Sequence, residues 1–170
     1  MKDLNTKIIR ENIFLLVDCS GISDVSFANV LGISTKNLKR IKKTTADFNI
    51  KNINKSSDFF QKTIDELNTK NLLIKLNLRE ELIFAHKGNS EYTTLLEKRP
   101  PITYALNYIL FHNEKFKTTG LSTQQINTLF QEHNLKYSSS YISSAMSRNK
   151  DKIQIRPSLE NDKIFIYKLR

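Results

Sequence analysis

The sequence of 170 residues contains little cysteine, glycine or histidine. Its single cysteine, Cys19, excludes an intrachain disulfide and is typical of a small core residue in a reducing compartment. The four glycines fall at predicted turns and form no Gly-rich phosphate loop. The three histidines, His86, His112 and His133, lie on separate segments. With only one cysteine beside them, no structural zinc site is expected.

Long apolar runs are also lacking. No uninterrupted apolar stretch approaches the ~18 residues that a transmembrane helix needs. No apolar core of a signal peptide is found in the N-terminal sequence MKDLNTK. The sequence therefore predicts a cytoplasmic protein without a membrane partner.

Acidic residues do not form a catalytic pattern. Glu80 and Glu81 are neighbours on a polar helix face, as are Asp65 and Glu66. Solvated surface charge explains both pairs, and no nucleophile stands beside a base. The sequence therefore predicts neither an enzyme nor a bound cofactor or metal. A small nuclease with dispersed acidic residues is an alternative that the residues leave open.

Positive charge is what the chain has in excess. Lys and Arg number 27 against 17 Asp and Glu, so the net charge is +10. The excess is +4 in residues 1–70, +1 in residues 71–100 and +5 in residues 101–170. Such an excess indicates attraction to polyanions, most often nucleic acid, and both ends are candidates for phosphate contact. The many Lys, Asn and Ile residues are typical of a bacterial or phage genome rich in A·T pairs.

Residues 23–43 have the pattern of two short helices joined at Gly32. Ser23 and Ser34 precede the two helices as N-caps, and Gly32 follows Leu31, where a left-handed C-cap is needed. The second helix turns Leu38 towards the core at helical spacing, together with Ile41. The first helix is expected to have one apolar face, formed by Val25, Phe27, Ala28 and Leu31.

This segment resembles the helix-turn-helix of the Cro and lambda-repressor (XRE) type. The shared pattern A-x-x-x-G-[IV]-S is met here by Ala28, Gly32, Ile33 and Ser34. The resemblance covers roughly residues 8–67 and implies a five-helix bundle whose second motif helix lies in the DNA major groove. Asp24 departs from the pattern, because many members carry there a Gln that touches a phosphate or base.

The resemblance also implies which residues contact DNA. Thr35, Lys36, Asn37 and Arg40 would read bases, because Asn can pair with adenine, and Arg or Lys with guanine. Phosphate contacts are expected from Lys39, Lys42 and Lys43. Counting the cap, the predicted DNA-binding residues of this domain are Ser34, Thr35, Lys36, Asn37, Lys39, Arg40, Lys42 and Lys43. A plain helical packing unit with a solvated basic face is the alternative.

The remaining chain divides at the prolines Pro100 and Pro101, which cannot continue a helix. We predict a first domain over residues 1–70 and a partly helical connector over residues 71–100, in which residues 71–76 are extended or a short strand. The last domain, residues 101–170, has three predicted helices followed by two strands of alternating polarity. The predicted fold class is mainly α.

Three helices and a β-hairpin are the element order of a winged helix, which residues 102–170 resemble in that respect. This resemblance implies that the third helix is a recognition helix and that residues 156–163 form the wing. A serine-rich helix reads bases poorly but can lie close to phosphates. The candidate DNA-binding residues here are Ser139, Ser140, Ser143, Ser144, Arg148, Arg156 and Lys163. A dimerisation or protein-interaction domain is the alternative.

Together these patterns predict a two-domain DNA-binding transcriptional regulator, such as a repressor, of a bacterium or mobile element. Its partner would be double-stranded DNA, and proteins of this kind usually bind it as homodimers, although the chain shows no obvious dimer seam. The alternative is an interaction adaptor or antitoxin-like protein that binds a protein partner through its C-terminal domain.

Overall fold

The computed structural model describes residues 4–170 and is mainly helical, with one small antiparallel sheet. The chain divides into two compact units, Met1–Lys98 and Arg99–Arg170. The prediction of a mainly α chain is confirmed. None of the helices in the described part of the chain is long and apolar enough to cross a membrane.

The first unit contains seven α-helices among its described residues. They are α1 (Thr6–Ser20), α2 (Asp24–Leu31), α3 (Thr35–Lys42), α4 (Ile50–Phe60), α5 (Ile64–Leu67), α6 (Leu78–Ala85) and α7 (Ser90–Glu97). A capping box begins α5, since Thr63 and Glu66 each accept a hydrogen bond from the other's backbone N–H. Gly21 ends α1 in the left-handed conformation, with φ of 64°.

Aromatic rings fill the core of the first unit. Phe59 and Phe60 are buried at the end of α4, with ring centroids 5.0 Å apart in an edge-to-face arrangement. The ring centroid of Phe27 on α2 lies 5.5 Å from that of Phe60. The His86 ring stacks on Phe59 at 5.4 Å, and its Nε2 lies 2.7 Å from the Phe59 carbonyl oxygen. These contacts hold the start of α2, the end of α4 and the end of α6 together.

Residues 71–100, which the sequence assigns to a connector, contribute α6 and α7 to the first unit. Arg79 of α6 is buried and donates hydrogen bonds to the carbonyl oxygens of Ser20 and Lys98, each at 2.8 Å. It also donates to the Leu96 carbonyl. Its guanidinium therefore ties α6 to the end of α1 and the end of α7. Residues 71–76 form no strand.

The second unit combines helices with a three-stranded sheet. Its elements are α8 (Ile102–Tyr108), a 3-10 turn (Leu110–His112), α9 (Glu114–Thr118), β1 (Leu121–Ser122), α10 (Thr123–Glu132), α11 (Ser139–Arg148), β2 (Ile153–Pro157) and β3 (Phe165–Leu169). The three predicted helices and the hairpin are present. The short elements α9 and β1 were not predicted.

The strand order in the sheet is β1-β3-β2, and both pairings are antiparallel. Gly120 precedes β1 with φ of +87°, and a Cβ there would lie 2.8 Å from the Tyr167 carbonyl oxygen of β3. A glycine is therefore required where the chain turns into β1. The core behind the sheet is formed mainly by α8, α10 and α11, with Phe116 and Phe130 fully buried in it.

One sequence expectation about side-chain burial is wrong. Val25 is 57% exposed, because the face of α2 that packs inward starts at Ser26 and Phe27 rather than at Val25.

Candidate nucleic-acid interface

The connection from α2 to α3 is fixed by caps and a left-handed glycine. The Ser23 Oγ accepts a hydrogen bond from the Ser26 N–H at 3.1 Å, and the Ser34 Oγ accepts one from the Asn37 N–H at 3.1 Å. Gly32 has φ of 69°, and the N–H of Ile33 reaches back to the Ala28 carbonyl at 3.0 Å. The two helices are thus joined by a three-residue turn of defined geometry.

Helix α3 has one buried side and one basic, exposed side. Leu38 and Ile41 are 0% and 2% exposed, so they anchor the helix in the core. Thr35 and Asn37 are half-buried. The remaining predicted contact residues are exposed: Ser34, Lys36, Lys39, Arg40, Lys42 and Lys43. The side that faces solvent therefore carries five cations on nine consecutive residues after Ser34.

One of these cations already has an acidic partner. The Lys42 Nζ lies 3.2 Å from the Asp24 carboxylate and 5.5 Å from the centre of the Phe14 ring. Asp18 is exposed as a residue, but partial burial of its carboxyl group raises its pKa, Lys42 lowers it, and Asp24 raises it. A small acidic surface therefore borders α3 at Lys42. No ion pair within residues 4–170 involves Lys36, Lys39, Arg40 or Lys43.

Lys55, which no sequence pattern singles out, supports the turn between α2 and α3. The Lys55 Nζ on α4 donates to the Leu31 carbonyl at 3.1 Å, which satisfies an acceptor at the end of α2. A Cβ added at Gly32 would lie 3.1 Å from the same nitrogen. Nothing in the local sequence links Lys55 to Leu31, because the two residues lie 24 positions apart.

In the second unit, α11 presents hydroxyl groups to solvent. Ser139, Ser140, Ser144 and Arg148 are exposed, and the Arg148 Nε donates to the Ser144 carbonyl at 3.2 Å. Ser143 is half-buried, with its Oγ 3.2 Å from the Thr123 Oγ1 of α10. The predicted residues of α11 thus lie on one helix, but Ser143 is less exposed than the others.

The predicted wing, residues 156–163, covers the last two residues of β2 and most of its connection to β3. Arg156 is exposed, and its Nη2 donates to the Thr119 carbonyl at 3.2 Å. Lys163 is exposed near the end of the connection. Leu159, between them, is fully exposed, and the acidic Glu160 and Asp162 flank the same tip.

Within residues 4–170, no group of three or more His, Cys, Asp or Glu side chains is placed to hold a metal ion. Comparisons with protein-family models, curated proteins and solved structures found no match. The function of the chain is therefore inferred from its own geometry and charge.

Proposed function

We propose that the chain is a sequence-specific DNA-binding regulator of transcription in a bacterium or mobile element. On this proposal the first unit is a helix-turn-helix domain of the Cro and lambda-repressor type, and α3 is its recognition helix. The observation that carries the proposal is the exposed basic side of α3, held by a capped, left-handed turn after α2. A helix in this arrangement can enter the major groove while the preceding helix supports it.

The exposed side of α3 supplies both kinds of contact that specific binding needs. Lys36, Asn37 and Arg40 would meet base edges, and each good bidentate pair contributes about 1–3 kcal/mol of discrimination. Lys39 and Lys43 would meet phosphates, which makes binding depend on salt concentration. The half-buried state of Asn37 leaves it less reach than Lys36 or Arg40.

The second unit would belong to the winged-helix class. The sheet order β1-β3-β2 and the succession of β1, α10, α11, β2 and β3 support this assignment. The exposed serines of α11 would let the helix lie close to a phosphate backbone, to which each hydroxyl could donate a hydrogen bond. Base recognition would then rest mainly on α3.

The direct test is selection from a random duplex pool by the full-length chain, followed by binding measurements over a salt series. We expect one enriched sequence. The logarithm of the association constant should fall with the logarithm of salt concentration, with a slope of about −0.9 per phosphate contact. Lys36→Ala combined with Arg40→Ala should abolish the preference for the enriched sequence. The matched control is Lys70→Ala with Lys87→Ala, which removes the same charge from exposed positions of the first unit outside α3.

Equal loss of binding in both double variants would mean that net charge alone attracts the DNA, and would overturn the assignment of α3. A circular dichroism spectrum of each variant separates lost binding from lost folding.

One observation favours protein binding as a second candidate function. The connection between β2 and β3 has a fully exposed leucine, Leu159, beside Glu160 and Asp162. These carboxylates would repel a phosphate backbone, whereas an exposed leucine is common at protein contacts. A Leu159→Ser variant that binds the selected duplex normally but no longer captures a partner from the source cell would favour this function for the second unit.

A further inference from the structure

A groove of about 610 Å³ lies within the second unit, between α11 and the sheet. This volume falls within the range of about 300–1,000 Å³ that is usual for small-ligand sites. Its helix side is formed by Ser143 and Ser147 of α11 and by Lys150 in the turn that follows the helix. Ser143 and Ser147 are four residues apart, so both lie on one face of α11.

The sheet side of the groove is aromatic and aliphatic. Ile155 of β2 is paired directly with Tyr167 of β3, so both side chains lie on the same face of the sheet. Phe165, two residues before Tyr167, also lines the groove and is 50% exposed. A half-exposed phenylalanine at the rim leaves a ring face available for stacking.

Tyr167 lines the groove although the residue as a whole is only 5% exposed. Its hydroxyl is not among the buried side-chain atoms of residues 4–170 that lack a hydrogen-bond partner, so the hydroxyl is open to solvent. A polar group bound in the groove could replace water at this hydroxyl.

Two cations line the groove as well. Lys150 and Arg170 are both exposed, and neither forms an ion pair with a residue of the described chain. The Arg170 Nε makes a long contact of 3.5 Å to the Ile153 carbonyl, which holds the base of the guanidinium beside β2. The adjacent Asp151 does not line the groove. The groove therefore combines positive charge with an aromatic wall.

We propose that this groove binds a nucleobase together with its phosphate. The base would stack on Phe165 and receive hydrogen bonds from the hydroxyls of Ser147 and Tyr167, while Lys150 and Arg170 would bind the phosphate. A cationic groove with an exposed aromatic ring is the usual means of binding unpaired nucleotides. A purely aliphatic acid would offer no partner to the hydroxyls of Ser147 and Tyr167. The proposal concerns the second unit and does not rest on the role of α3.

The test is a titration of the full-length, ¹⁵N-labelled chain with AMP, adenosine and inorganic phosphate, and with a short single-stranded oligonucleotide. We expect AMP to shift the amide signals of Ser147, Phe165 and Tyr167, and to bind more tightly than adenosine or phosphate. If the oligonucleotide binds more tightly than AMP, the natural ligand is a single strand. If the two bind equally, the natural ligand is a free nucleotide. Both results support the proposal.

Variants separate the site from generic attraction. Phe165→Ala should weaken AMP binding by about tenfold or more, because stacking on an aromatic side chain contributes that much. Phe165→Leu keeps the apolar packing and should weaken binding in the same way. Lys150→Gln should reduce AMP binding towards that of adenosine. The matched controls are Leu159→Ala and Lys152→Gln, exposed positions nearby that do not line the groove.

Absence of shifts at the groove amides at millimolar AMP would overturn the proposal. So would equal AMP affinities in Phe165→Leu and Leu159→Ala. Because duplex selection tests α3 and this titration tests the second unit, failure of one leaves the other interpretable.

Discussion

Asp24 neutralises one of the five cations on and beside α3. Asp24 pairs with Lys42 at 3.2 Å, so Lys42 is less available to a phosphate than the unpaired cations of α3. Asp24→Asn would release Lys42. We expect duplex affinity to rise a few-fold. The slope of the logarithm of the association constant against the logarithm of salt concentration should steepen by about 0.9, because one phosphate contact is added. Fluorescence anisotropy with a labelled duplex over a salt series measures both quantities.

The control for this variant is Asp58→Asn, which removes the same charge from an exposed position of α4. If both variants raise affinity equally and leave the slopes alike, the pair between Asp24 and Lys42 has no special role in binding.

Three glycines form a graded series for stability. A Cβ at Gly88 would meet nothing within 4 Å, whereas Gly32 has φ of +69° and Gly120 has φ of +87°. Left-handed backbone costs a residue with a side chain about 1–2 kcal/mol. At Gly120 a Cβ would also lie 2.7 Å from the Ile166 Cγ2. We therefore expect losses of unfolding free energy in the order Gly88→Ala, Gly32→Ala, Gly120→Ala, reaching about 3 kcal/mol at Gly120.

Thermal denaturation of the three variants, followed by circular dichroism, gives this order. A Gly120→Ala variant as stable as Gly88→Ala would mean that the turn into β1 tolerates a side chain.

At the scale of the element, the start of α5 responds to pH through Glu66. The Thr63 backbone N–H donates to Glu66 at 2.8 Å, and the Lys62 ammonium lies 3.0 Å from it. These two contacts, in that order, hold the pKa of Glu66 below its usual value. The carboxylate therefore stabilises the fold at pH values above its unfolded pKa, and this stabilisation is lost as pH falls through the folded pKa.

Glu66→Gln keeps an oxygen acceptor for the capping box but removes the charge. Because Glu66 is largely solvated, we expect the variant to be only about 0.3 kcal/mol less stable at pH 7. The difference should shrink as pH falls from 7 through the folded pKa of Glu66, where the wild-type carboxylate becomes protonated. Urea unfolding over a series of pH values from 7 downwards checks this, and a constant difference would contradict a role for the charge.

Helix ends followed from short-range chemistry, and so they could be predicted. Ser23 and Ser34 stand where a capping hydroxyl is needed, and the structure places each of them as an N-cap. Strand β1 could not be predicted, because two residues show no periodicity and Leu121 becomes a strand only by pairing with Tyr167 of β3.

At the scale of the whole molecule, the first unit extends well past the predicted motif. Arg79 is bonded to carbonyl oxygens at the ends of α1 and α7, and His86 stacks on Phe59. We expect a fragment of residues 1–98 to fold and unfold cooperatively. A fragment of residues 1–70 should be markedly less stable, because it lacks the partners of Ser20 and Phe59.

Thermal unfolding of both fragments tests whether the first unit extends to residue 98. Arg79→Met in the longer fragment should lower its stability by about 3 kcal/mol, because buried carbonyl groups lose their donor. Equal melting temperatures for the two fragments would show that α6 and α7 add nothing to the fold.

The sequence by itself determined the features that arise within a few residues. Helix periodicity, capping residues, the left-handed Gly32 and the positive charge of α3 all depend on neighbours in the chain. The same local information placed most of the candidate DNA-binding residues on α3 and α11. The function of those residues stays a prediction, as do the helix-turn-helix and winged-helix classes of the two units.

The tertiary structure decided what depends on residues far apart. The exposure of Val25, the pairing of Lys42 with Asp24 and the support of Leu31 by Lys55 join separate helices. The membership of α6 and α7 in the first unit and the groove beside Tyr167 likewise arise when distant segments pack. Burial and charge pairing depend on the whole surroundings of a side chain, which local sequence does not contain.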